Sequence, residues 1–175
     1  MYGQETIVRY LQDAEAAERT FEDALAALSE TVDQPEVQTA LAAMSQKARA
    51  QYERLGARLD TVGASRSTTK SALAHVLGFV PRLAQLGETE QQKSTQNLMI
   101  TIAAAAAESA MYEALASAAA AAGDPATEQL ARQLQDEERL DYQQAATLLR
   151  QSAVQAFERA MNQKTEVGYT RPPAN

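Results

Sequence analysis

Apolar residues recur along the chain at alternating steps of four and three, the period of a helix that buries one face. One stripe runs Ile7, Leu11, Ala14, Glu18, Phe21, Leu25, Leu28, and a second Leu41, Met44, Ala48, Gln51, Leu55, Val62. A third reads Met99, Ile102, Ala106, Ser109, Glu113, Ala116, Ala120, and a fourth Leu130, Leu134, Glu138, Asp141, Ala145, Leu148. The breaks between stripes carry turn chemistry. Helix one, from about Gln4, is expected to end near Thr31, with Asp33 capping helix two and Glu36 completing a capping box. Helix two is expected to stop at Gly63, and helix three, from about Thr89, at Gly123-Asp124-Pro125. Helix four is then expected to reach about Met161. The two short connections make antiparallel hairpins, whereas the link over 64–88 is long enough to bring the chain back along the bundle and carries a short apolar helix of its own. The pattern predicts an all-α fold: a four-helix bundle over 1–163, with a long crossover containing a short fifth helix. The aperiodic segment 164–175 is expected to be an extended or disordered tail.

Three of the four stripes place acids where core residues are due: Glu18, Glu113, and Glu138 with Asp141 one turn on. Glu137 competes with Glu138 for the inward position, and helix two offers Gln51 instead of an acid. Buried carboxylates in one layer repel, so they require a metal, a basic side chain or protons. An all-oxygen donor set favours a hard ion such as Mn, Fe, Mg or Ca. Lys47 and Arg49 on helix two are the alternative neutralising groups, and a slight rotation of the helices would turn any one of the acids to water. His75, the only histidine, reads as a core-edge residue of the crossover. Tyr112 and Tyr142 adjoin the acids, either to donate hydrogen bonds or to fill core edges. The alanine tracts 103–107 and 118–122 allow close helix approach or offer a smooth face to a second subunit.

Composition narrows the classes. The 175 residues fit one domain, and a net charge of -7 disfavours nucleic acid and anionic membrane as partners. There is no cysteine, hence no disulfide, thiolate metal site or cysteine nucleophile. The unbroken apolar run near 102–107 is short of the ~20 residues of a membrane span, so a cytoplasmic location is expected. No phosphate loop and no nucleophile paired with a base stands out, which leans away from an enzyme.

Four fragments carry a resemblance: Leu11-Gln-Asp-Ala-Glu-Ala-Ala-Glu18, Gln51-Tyr-Glu-Arg-Leu55, Tyr112-Glu113, and Leu134-Gln-Asp-Glu-Glu-Arg139 with Asp141. In this order and spacing the chain resembles the bacterial ferritin-like family that includes YciF and YciE, small stress-associated bundles. The resemblance implies a ferritin-like four-helix bundle. Dimetal sites of that kind use one Glu from each of two helices and a Glu-x-x-His pair from each of the other two. Carried over, Glu18 and Glu113 match the single ligands, and Glu138-x-x-Asp141 matches a pair with Asp for His. Helix two departs, with Gln46-Lys47-Ala48-Arg49 and Gln51, and Met111 stands before Tyr112 where His would fit. The expected function is a stress-associated bundle with a degenerate dimetal centre and no cofactor, acting as a homodimer or through an unknown protein partner rather than by catalysis. The alternative is a metal-binding protein for iron or manganese, oxidase or ferroxidase-like, that retains one or two ions.

Overall fold

The computed structural model describes residues 2–66 and 90–167. Among the described residues there are four helices and no strand: α1 (Tyr2–Glu30), α2 (Pro35–Thr61), α3 (Glu90–Ala122) and α4 (Pro125–Val167). The expected short crossover helix and His75 lie outside the described residues. Residues 164–167 belong to α4 and not to an extended tail, because the sequence past Met161 holds no helix breaker before Gly168.

Turn chemistry shapes the helix ends. Pro35 takes the first position of α2, where a missing N–H costs nothing, and Gln34 becomes the cap residue without a side-chain cap bond. The expected capping box of Asp33 and Glu36 therefore does not form. Asp33 instead accepts hydrogen bonds from Ser94 Oγ (3.0 Å) and Arg159 Nη1 (2.5 Å), tying the first turn to α3 and α4. At the end of α3, Gly123 sits at φ 70° while Asp124 N–H reaches back to Ala119 O and Gly123 N–H to Ala120 O. This doubled closure satisfies the last carbonyls and requires a left-handed residue. Asp124 then caps α4 by accepting from Thr127 N at 3.1 Å.

Cross-helix bonds fix the directions. Asn97 donates to Leu28 O and Tyr112 to Glu18, so α1 and α3 are antiparallel. On the opposite side, Lys47, Gln51, Arg54 and Arg58 rise along α2 in steps of four, three and four, while their partners Asp141, Glu138, Glu137 and Asp124 descend α4. Both hairpins are also antiparallel, so α2 and α3 run the same way and the chain joins opposite ends of the bundle between them. Packing is densest within each hairpin; α1 also seats on α3, and α2 touches α4 sparsely.

The core is split in two. One apolar cluster gathers Phe21, Leu25, Leu41, Met44, Leu98 and Ala145, and the other Ile7, Leu11, Leu55, Tyr112, Leu115 and Leu134. Between them every helix turns polar on its inner face, at Glu18, Gln51, Glu108 and Glu138.

The stripes of α1, α2 and α4 face inward as the pattern predicts, but α3 is rotated. Met99 is 57% exposed, and Ala106, Glu113 and Ala120 face outward. Its buried face is Leu98, Thr101, Ala105, Glu108, Tyr112, Leu115 and Ala119. By length and composition, Gln92–Ala122 is apolar enough to cross a membrane, a test that a bundle's core helix also passes. Here that stretch lends its inward face to the core, with Glu108 in its middle.

Candidate metal centre

Three glutamates from three helices meet in the polar layer. Glu18 of α1 and Glu108 of α3 are fully buried, and Glu138 of α4 is 1% exposed. One carboxylate oxygen of each lies within 4.8 Å of the others. The Tyr112 hydroxyl donates to Glu18 Oε1, and Gln51 Nε2 donates to Glu138 Oε1 at 2.8 Å. Glu18 Oε2, Glu138 Oε2 and both oxygens of Glu108 accept no bond from a nitrogen or hydroxyl donor among the described residues, and Glu108 and Glu138 hydrogen-bond to each other as a carboxyl and a carboxylate that share a proton.

The electrostatics follow from burial. Desolvation, reinforced by Glu138, holds the Glu18 carboxyl well above its ordinary range, and the Tyr112 bond only partly opposes this. Glu108 is likewise raised by burial and then by the charges of Glu18, Glu138 and Asp141. Burial lifts Glu138 to about 7 against the opposing pull of Gln51 and Lys47. Tyr112 is pushed above 10 by burial and by Glu18, so its proton stays in place as a donor. Asp141 is raised by burial despite its direct ion pair with Lys47.

The expected site residues divide. Glu18 and Glu138 enter the cluster, and Asp141 lies on its flank, engaged by Lys47. Glu113 is corrected: it is exposed, and Gln135 Nε2 (2.9 Å) and Ser117 Oγ (3.3 Å) bind its carboxylate, because α3 turns Tyr112 inward in its place. Glu137 stands outside the trio: Arg54 clamps both of its oxygens at 2.9 and 2.5 Å, and Gln51 Nε2 also donates to its Oε2 at 3.2 Å. Glu138 thus takes the inward position. Glu108 was not among the expected residues, yet a signal for it exists. Tyr112 is the largest side chain in the middle of α3, and the residue one turn before it is Glu108. Glu15, 2% exposed, is a further buried acid, with Arg66 Nε 3.7 Å away.

The model of the family described as a domain of unknown function, DUF892, matches residues 4–162. The chain belongs to this family. No curated protein matches it. Among solved structures it is similar to a protein from Xanthomonas campestris pv. campestris, at 24% identity over 91% of this chain and 99% of that one, with a TM-score of 0.77. It is also similar to the Escherichia coli stress protein YciF, at 18% identity over 86% and 96% of the two chains with a TM-score of 0.79. YcfI from Rhodopseudomonas palustris gives 18%, 83% and 93%, and 0.77. These likenesses establish a shared helical fold.

Against the donor pattern of dinuclear carboxylate bundles, this DUF892 chain fits on one side only. Glu18 and Glu108 stand as the single acids of α1 and α3, and Glu138-x-x-Asp141 stands as the pair of α4. The corresponding pair on α2 is Ala48 and Gln51, a methyl group and an amide that is already donating to Glu138. Asp141, in the place of the pair's second ligand, is bound by an ammonium. Two ions would lack bridging and terminal donors from α2, so the residues do not fit a dinuclear centre.

Proposed function

We propose that this protein is a ferritin-like bundle whose dinuclear oxidation centre has been dismantled, and that it works without catalysis, through self-association or a protein partner. The observation carrying this reading is the substitution of α2: Lys47, Ala48 and Gln51 stand at the level where acid and imidazole donors would be needed, and Lys47 pairs with Asp141. The likeness to a protein named for stress supports a stress-associated role. Association is supported by large apolar side chains outside the core, Met99 at 57%, Leu140 at 61%, Val154 at 57% and Phe157 at 66% exposure.

An iron or manganese oxidase is the competing reading, and it requires two redox ions. Aerobic titration of purified protein with Fe²⁺, followed optically, is the test. The expected result is oxidation no faster than in buffer. Rapid oxidation with two irons held per chain would overturn the proposal.

A further inference from the structure

We infer that the open groove between α2 and α4 receives α4 of a second copy of this chain, the two α4 helices running antiparallel about a two-fold axis. The inference deepens the self-association reading given above and rests on it: it names the partner and the surface that meets it.

Two apolar surfaces are uncovered among the described residues. The first is a groove of about 860 Å³, where Pro35, Ala40 and Ala43 of α2 face Leu140, Thr147 and Leu148 of α4. α2 touches α4 sparsely, and the long side chains of Lys47 and Arg54 span the gap to Asp141 and Glu137. Where α2 ends, the chain turns onto α1, away from this groove: Gln12 Nε2 donates to Ser65 O at 2.8 Å, and Glu15 meets Arg66. The second surface is the far part of α4. Gln34, just ahead of α2, donates to Ser152, so the last turns of the 43-residue α4 run past the start of α2. Val154 and Phe157 are exposed there, three residues apart and so on one side of the helix. A continuous helix cannot bend back to lay them in its own groove, but a second copy can fill that groove and offer its own in return.

The spacing along α4 favours the antiparallel direction. With Leu140 set against Phe157 of the second copy, Gln143 meets Val154 and Thr147 meets Arg150, and the two-fold repeats each pair. A parallel pair would stack Phe157 on Phe157 beyond both grooves and leave the grooves empty. Charge agrees with this register. The exposed Glu158, next to Phe157, comes over the seam at Lys47 and Arg54, two partly exposed cations with N–H donors to spare. The contact comprises α4 on α4 and each α4 on the other copy's α2. Three helix pairs about 25 Å long bury on the order of 1,000 Å² in total, the size at which a specific interface begins. A reversible dimer is therefore expected.

The test is sedimentation of the full-length protein over a range of concentrations, where dimer should replace monomer as concentration rises. Phe157→Glu alters an exposed side chain, so the fold should survive, and the dissociation constant should rise at least tenfold. Glu158→Lys, which sets a cation against Lys47 and Arg54, should also weaken the dimer. Arg19→Glu, on the exposed face of α1, should leave it unchanged. Because the chain has no cysteine, a second readout is clean. Leu140→Cys and Phe157→Cys proteins, mixed and mildly oxidised, should yield a disulfide-linked dimer of one chain of each. Either variant alone should not, since its two copies of the same position stand about 25 Å apart along the seam. A monomer at high micromolar concentration would overturn the inference and leave the dismantled centre acting through a different protein. A dimer indifferent to Phe157→Glu would overturn it by placing the second copy elsewhere. Neither result bears on the dismantled centre itself, which the Fe²⁺ titration decides.

Discussion

Tyr112 and Gln51 are neutral groups that fix charged ones, and their removal should be felt at single-atom scale. Tyr112→Phe leaves Glu18 Oε1 buried without a donor, a loss of about 1 to 3 kcal/mol for an orphaned buried group. Urea denaturation should show the midpoint falling. Lys47→Met strips Asp141 of its ion pair. Breaking a fully buried pair costs ~3 to 5 kcal/mol; because Lys47 is 35% exposed, the lower end or less is expected at pH 7. At pH 5 the loss should shrink, since burial raises the Asp141 carboxyl and lets it take up a proton instead. Glu18, Glu138 and Asp141 were legible in the sequence because each interrupts a stripe of large apolar residues. Glu108 was harder to read, because it borders the alanine tract 103–107 and Tyr112, one turn on, is the nearest bulky residue that marks its side as inward.

The same poverty of contrast explains α3 as an element. Met99 and Ile102 drew the expected stripe to one side, although Leu98, Tyr112 and Leu115 are the side chains that the core receives. Counting from the turn at Asp124 also favoured Glu108: it lies 16 residues back (124 − 108) against 14 forward for Glu138 (138 − 124), whereas Glu113 lies only 11 back (124 − 113). In α1, α2 and α4 large aliphatic residues alternate with charge, and there the pattern sufficed. Helix ends were legible where glycine and proline act locally, and illegible where a tertiary partner intervened, as at Asp33 with Ser94 and Arg159. Gly123→Ala tests the turn that joins α3 to α4. At φ 70° a Cβ is strained by about 1 kcal/mol, and with open space around it no steric clash should add to that. The melting temperature should fall by a few degrees with helix content unchanged in circular dichroism.

At the scale of the whole molecule, pH should reveal the polar layer as a net liability when its acids ionise. Glu138 titrates near 7 in the folded chain against an ordinary 4.5, so between these values the folded state holds a proton that the unfolded state has released. Its contribution is complete below 4.5 and is lost as pH rises toward 7, a change of about 3 kcal/mol at most. Asp124 works in the opposite sense: beside the cost of partial burial, bonds from Arg58 and Thr127 bring it to about 2, so its contribution holds above 3.8 and disappears as pH falls through 2. Chelator-treated protein should therefore melt higher at pH 5 than at pH 7.5. A higher melting temperature at pH 7.5 without metal would contradict this. The bonds that gather the layer, Tyr112 to Glu18, Gln51 to Glu138 and Lys47 to Asp141, all join one hairpin to the other, and none lies within a hairpin. Each hairpin closes through local contacts and can form early, whereas the seam between them depends on distant partners. Amide hydrogen exchange should accordingly find two cooperative opening units rather than one, with the protonation of the acidic layer setting how rarely they part and leaving protection inside each hairpin nearly untouched.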